Sequence, residues 1–212
     1  MKQTTARPGA GEPAAPPAAT ARRRGKALEQ AIFEAALEQL TSGGYARLTM
    51  EGVAGAAQTG KAALYRRWPS KLELALDALG STLPPLTDVP DLGSVRAELR
   101  QLIGTFQVAM DSPAGSAMRA LMAEVDHGGG GLLKDFVMAR LVGPARRAGL
   151  EVLRRGERRG EVRSGAVNEM VADVWPAMLL YRTKFGAESV DAEFCDHLLE
   201  DVLLPLIRPQ AG

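Results

Sequence analysis

Six residues between positions 61 and 71 form the chain's most distinctive chemical pattern. Lys61, Arg66, Arg67 and Lys71 can neutralise phosphates, Tyr65 adds a ring with a hydroxyl, and Ala62 is small enough to allow close approach to a groove. Other constellations fail on their own terms. Gly55 to Lys61 fits G-x-x-x-x-G-K, but the next residue is Ala62 where a phosphate-binding loop needs Ser or Thr, and the stretch follows a helical pattern instead of a strand. Cys195 and His197 are two apart, so on a helix they do not face each other. His127, beside Glu124 and Asp126, is one imidazole and too few for a zinc site. No catalytic residue, cofactor or metal is expected.

Two short helices must position the cationic set. Met50, Val53 and Ala57 share one face at helical spacing, and Leu64 and Trp68 lie four apart, so both turn inward. Gln58 and Thr59 make a tight connection before a second piece at Gly60 to Trp68, which forces a steep crossing and gives a helix-turn-helix. Thr49 is the expected N-cap of the first of these helices, with Glu51 in its first turn. Pro69 ends the second, and Ser70 with Glu73 makes a capping box for a following helix that runs to about Leu79. Upstream, Leu28, Ile32, Ala35, Ala36 and Leu40 define an amphipathic helix over 25–41, stopped by Gly43-Gly44.

The segments AIFEAALEQLTSGGYARLT, LTMEGVA and GKAALYRRWPSK together resemble the DNA-binding domain of the TetR family of transcriptional repressors, as one block over residues 31–76. The chain departs from the pattern at three places. Gln58 stands where Gly is usual and where φ is commonly positive, a conformation with a steric cost for Gln. Thr59 replaces a small apolar residue, and Ala63 replaces a Thr hydroxyl. The resemblance implies a palindromic DNA operator read by a homodimer, with Thr49, Gln58, Thr59, Gly60, Lys61, Ala62, Ala63, Tyr65, Arg66, Arg67 and Lys71 at the DNA-facing surface.

Composition sets the outer bounds. The 212 residues are 46% hydrophobic with only five Phe, three Tyr and two Trp, so Leu, Ala and Val must fill most of the core. The one cysteine excludes an internal disulfide, which suits a reducing cytoplasm. No apolar run reaches membrane-spanning length, and no signal-peptide segment opens the chain, so a cytoplasmic protein without membrane contact is expected. Net charge is +1, but residues 1–26 hold six cations against one acid. Residues 1–24 are rich in Ala, Pro and Gly and read as a disordered basic arm. It is either a solvated tail or an arm reaching phosphates and the minor groove.

The remaining pattern is helical throughout, with no period-2 segment. The fold class is therefore all-α: a three-helix DNA-binding domain at 25–80 and a helical ligand-binding and dimerisation domain at 81–212. Helices are expected at about 94–111, 114–125, 132–155 with a kink at Pro144, 166–185 and 191–207. Phe106, Met110, Met118, Met122, Phe136, Trp175, Met178 and Tyr181 are candidate pocket residues, each of which could equally be plain core. Arg140 is a candidate anchor for an acidic group. A mainly apolar lining points to a lipophilic effector. Val171, Trp175, Leu179, Arg182, Phe194, Leu198 and Val202 follow helical spacing on the last two helices. The resemblance implies an intersubunit bundle there; the alternative buries these stripes within one subunit. Three function classes stay open: a ligand-controlled repressor, a DNA-binding dimer without a ligand, and an enzyme or carrier with a vestigial DNA-binding head.

Overall fold

The computed structural model describes residues 17–83, 89–124, 130–185 and 190–209, with side chains from residue 25 onward. All regular structure among them is helical. The order is α1 (Pro17–Arg47), α2 (Met50–Ala56), α3 (Lys61–Tyr65), α4 (Lys71–Thr82), α5 (Val95–Asp111), α6 (Pro113–Glu124), α7 (Gly130–Val137), α8 (Gly143–Arg158), α9 (Glu169–Phe185), α10 (Ala192–His197) and α11 (Leu204–Ile207). Short π-helical segments join α7 to α8 (Met138–Val142) and α10 to α11 (Leu198–Leu203). No described helix is long and apolar enough to cross a membrane.

The first helix departs from its expected bounds at both ends. It begins at Pro17, so residues 17–24 of the expected arm are helical. The stretch AATARRR holds three Ala and three Arg, both good helix formers, and that local preference prevails over a bulk composition that reads as disorder. Residues 1–16 lie outside the described residues. The helix also continues past its expected stop and kinks at Gly44, where φ is +74°. Two demands meet at this glycine. A Cβ would be strained at that φ and would overlap the carboxylate of Glu124, which accepts a hydrogen bond from Ala46 N at 2.6 Å. The last residue of α6 thus holds the turn that leads into α2.

Between α7 and α8, the expected Pro144 kink is replaced by a wider turn. Residues 138–142 take π geometry, and Pro144 falls in the first turn of α8, where its missing N–H is tolerated. Pro176 does sit inside α9. The core runs unbroken from Ile32, Leu40 and Val53 through Leu74 and Leu79 to Leu102, Met118, Val152 and Leu199. The helix-turn-helix therefore packs on the same apolar mass as the body.

Among the described residues of the body, one charged side chain is fully buried. Glu98 is 0% exposed, and its carboxylate accepts from Arg155 Nε at 2.9 Å and from Arg159 Nη2 at 3.0 Å. Arg155 also donates to the Val89 carbonyl at 3.0 Å, and Arg159 to Asp91 at 3.0 Å. Glu161 accepts from Val95 N at 2.9 Å at the start of α5. Gly156 lets α8 approach this point, since a Cβ there would overlap Val95 Cγ2. Without these partners a carboxylate in the core would carry a large desolvation penalty.

Candidate nucleic-acid interface

Local hydrogen bonds build the helix-turn-helix. Thr49 Oγ1 accepts from Gly52 N at 3.1 Å and caps α2, while Thr49 N donates to Gln39 Oε1 at 3.2 Å, tying that cap to α1. At the other end Thr59 N donates to the Ala54 carbonyl and Gln58 N to the Gly55 carbonyl, the pairing of a Schellman turn. Gln58 occupies its left-handed position at φ +52°, the single described non-glycine residue with positive φ. The stretch from Gly55 to Lys61 is thus a helix-to-helix turn, which disposes of the phosphate-loop match.

Leu64 and Trp68 are buried, and Trp68 meets Phe33 edge-on with ring centroids 5.7 Å apart. Its Nε1 donates to Asp77 Oδ2 at 2.8 Å, fastening α3 to α4. The Ser70–Glu73 capping box forms in both directions. With these anchors inward, Gln58, Gly60, Lys61, Ala62, Tyr65 and Arg66 are exposed, and Thr59 and Ala63 are half-buried.

The cations divide into two groups. Lys61 pairs with Glu51 across the α2–α3 corner and lies 5.6 Å from the Tyr65 ring centroid. That hydrogen bond holds the Glu51 carboxyl below the usual range and raises the Lys61 ammonium. Arg66 is exposed and in no ion pair among the described residues. Arg67 instead binds Glu29 of α1 at 2.5 Å and stacks 4.9 Å from the Trp68 ring. Lys71 donates to the Tyr45 carbonyl at 2.9 Å with its Nζ 4.3 Å from that ring. Arg67 and Lys71 therefore also tie the recognition segment to α1, Arg67 remaining exposed and Lys71 half-buried. Glu29, Gln39, Tyr45 and Glu124 are contributors that sequence reasoning missed. They sit at separations with no local periodicity to mark them.

The body sorts its candidates differently from expectation. Phe106, Met110, Met118, Met122 and Trp175 are all buried in the common core. Phe136 is half-buried and Arg140 exposed; both lie against α4, 3.4 Å from where a Gly80 Cβ would stand. Met178 and Tyr181 do not join the buried set, being 38% and 62% exposed. The expected outer stripe is shifted as well. Trp175, Leu179 and Leu198 are at most 3% exposed within one protomer, so they cannot form an intersubunit surface. Helix α9 is rotated so that Met170, Met178 and Tyr181 face out, with Val202 exposed beyond them. Val171, Arg182 and Phe194 are half-buried, and Arg182 stacks 4.7 Å from the Phe194 ring. On α10, Cys195 is buried and His197 exposed; burial above all, then nearby carboxylates, pushes the thiol pKa up, which disfavours a nucleophilic thiolate. His127 lies outside the described residues.

Known proteins share both halves of this arrangement. Residues 32–78 match the family described as bacterial regulatory proteins, tetR family, and residues 89–202 match the tetracyclin repressor-like C-terminal domain. A DNA-binding transcriptional repressor TetR of Mycobacteroides abscessus is 32% identical over 189 residues, covering 89% of this chain and 98% of the relative. An uncharacterised HTH-type transcriptional regulator of Mycobacterium tuberculosis is 29% identical over 184 residues, 87% of this chain and 90% of its own length. Among solved structures, a TetR transcriptional regulator from Agrobacterium tumefaciens shares the fold with a TM-score of 0.66 at 19% identity, covering 86% of this chain and 95% of that one. NalD, the secondary repressor of the MexAB-OprM multidrug efflux pump in Pseudomonas aeruginosa, shares it with a TM-score of 0.64 at 19% identity over 88% of this chain and 100% of its own. A helix-turn-helix with a cationic outer face, set on a helical body, and matched in sequence across both parts, makes this chain a member of the TetR family of DNA-binding transcriptional regulators.

Proposed function

We propose that the protein is a repressor that binds a palindromic operator as a homodimer and leaves it when a small lipophilic effector occupies the body. The observation that carries the DNA reading is the split of α3. Leu64 and Trp68 lock one side into the core while Lys61, Tyr65 and Arg66 stand out on the other. A helix so placed enters the major groove, with Ala62 allowing close approach and Lys61 giving up Glu51 for phosphate or a base edge. Gln58, Thr59, Gly60 and Ala63 border the same face, and Thr49 sits at the start of α2 near the backbone.

One recognition helix covers too few bases, so two copies with half-sites about 34 Å apart, or a multiple of that, are required. The outward side chains Met170, Met178, Tyr181 and Val202 are the surface we assign to the partner copy. Communication would run through α4 and the Glu124 contact with the Gly44 turn. An effector acts only through its difference in affinity between the two head positions, and operator must weaken effector by the same factor.

A second reading, a DNA-binding dimer with no small ligand, draws support from the close packing of Phe106, Met110, Met118 and Met122 in one core. Selection of bound sequences from random DNA tests the common part, and a palindrome retained in a gel shift is the expected result. A screen of lipophilic compounds for raised Tm then separates the two readings, since a ligand selective for the native state stabilises it. Failure to enrich any DNA sequence would overturn both.

A further inference from the structure

The outward face of α2 is nearly bare. Gly52, Gly55 and Ala56 are exposed there and offer nothing larger than a methyl group, while Met50, Val53 and Ala54 point into the core. Glu51 is the exception, with a carboxylate side chain 59% exposed. The Thr49 cap, itself tied to Gln39 of α1, fixes the backbone from which it projects. The carboxylate reaches across the corner to Lys61, the first residue of α3, and Lys61 also lies over the Tyr65 ring one turn on. Glu51, Lys61 and Tyr65 therefore form one row across the surface assigned to DNA. A carboxylate in the first turn of a helix suits the dipole of the free protein. Brought against phosphates the same charge is repelled, and more so once Lys61 turns to the DNA. The carboxylate must then find a donor on the DNA itself. Gly55 adds an independent sign of close approach. Glycine destabilises a helix, yet a Cβ at this position would meet nothing within 4 Å, so packing inside the chain does not call for it.

We propose that Glu51 is a specificity-determining residue: in the operator complex its carboxylate accepts a hydrogen bond from the N4 amino group of a cytosine in each half-site. The proposal rests on the DNA reading above and adds one base to it. In the major groove two base groups donate, the amino groups of cytosine and of adenine. Adenine's amino group stands between its own N7 and thymine O4, two acceptors that repel a carboxylate. Cytosine's has an acceptor, guanine O6, on one side only. An ionised carboxylate accepts and cannot donate, so it selects cytosine. Lys61 beside it carries only donors, which suit an adjacent phosphate or the guanine of the same base pair. The bare face at Gly52, Gly55 and Ala56 lets α2 come close enough for so short a row to reach the groove.

Selection from a random duplex library with the full-length protein and its Glu51→Ala and Glu51→Gln variants tests the assignment, with Tm read alongside to confirm that each is folded. The unaltered protein is expected to enrich a cytosine at one position of each half-site. Changing that base pair in a fixed operator should weaken binding about tenfold. Glu51→Ala should lose the preference at that position alone and bind random duplex more tightly, since a charge repelled by phosphate has gone. Glu51→Gln keeps the shape but both accepts and donates, and should turn the preference toward adenine, whose N6 and N7 match an amide. A Glu51 that served only the α2 dipole or the neutralisation of Lys61 would change Tm, or affinity for every sequence alike, and leave base preference in place. Identical preferences in the unaltered protein and Glu51→Ala would therefore overturn the proposal while leaving the operator reading intact. If the unaltered protein enriched no sequence at all, the operator reading would fall and this proposal with it.

Discussion

In the helix-turn-helix, the helix starts are set by caps over three residues, Thr49 to Gly52 and Ser70 to Glu73, and the side chains of Arg67 and Lys71 tie these pieces back to α1. In the body, the bonds that join α5 to α8 and its following turn span 57, 61 and 66 residues, through Glu98 with Arg155, Glu98 with Arg159, and Val95 with Glu161. The head is thus a set of locally capped pieces placed on a common core, whereas the body is clamped around one buried carboxylate. Local caps each contribute modestly and independently. A buried charge shared by two arginines fails as a unit.

The largest test of this contrast is Glu98→Ala, which strands Arg155 and Arg159 over an emptied site. A loss of roughly 3–5 kcal/mol by urea denaturation is expected. Thr49→Ala in the head should cost only about 1 kcal/mol. Comparable losses from the two would break the contrast. Next comes Gly156→Ala, where the new methyl overlaps Val95 Cγ2; the same measurement should read a loss of about 1–3 kcal/mol from overpacking.

Within the head, Lys61→Ala and Lys71→Ala should both weaken operator binding, for different reasons. Lys61→Ala removes a phosphate contact and should reduce the slope of log affinity against log salt by about one. Lys71→Ala loses the Tyr45 carbonyl contact, so melting of the head should fall while the slope holds. A slope change in Lys71→Ala would make that residue a phosphate contact as well.

Smaller still is Gln58→Gly. It relieves a side chain at φ +52° at the cost of added chain entropy, and should raise stability by less than about 1 kcal/mol. The weakest effect is pH-dependent. Because Lys61 depresses the Glu51 carboxyl, the pair's contribution is complete above the ordinary carboxylate range and is lost as pH falls through the lowered value. Carboxyl ¹³C titration should show Glu51 moving up toward its ordinary value in Lys61→Ala. No movement would mean that the pair does not persist in solution.

What the sequence made legible follows the same division. The cap at Thr49, the inward Leu64 and Trp68, and the Ser70–Glu73 box are short-range patterns and were readable from spacing, whereas the positive φ at Gln58 followed from the family resemblance. The phase of α9 was not. Its sequence EMVADVWPAMLLYRTKF has apolar residues on every face, so the stripe at 171, 175 and 179 looked as eligible for the outer surface as that at 170, 178 and 181. Packing against α8 and α6 decides it. The π turns escaped for a related reason, since one added residue per turn leaves no mark in an apolar run. Of the recognition surface, the exposed positions were legible but the partners were not. That Glu29 takes Arg67, and the Tyr45 carbonyl takes Lys71, depends on how α1 lies across the head.

The Glu98 cluster also constrains how such a sequence can drift. Losing Glu98 first leaves two guanidiniums facing apolar surroundings, and losing Arg155 first leaves a carboxylate only partly matched. Each single step crosses a destabilised intermediate, although a wholly apolar replacement at positions 98, 155 and 159 could be as stable as the original. These sites should therefore change together or not at all. Exposed pairs such as Glu151 with Arg154, 3.7 Å apart on the surface of α8, are free to vary one residue at a time. A relative that has lost the acid at 98 is expected to have lost the arginine at 155 as well.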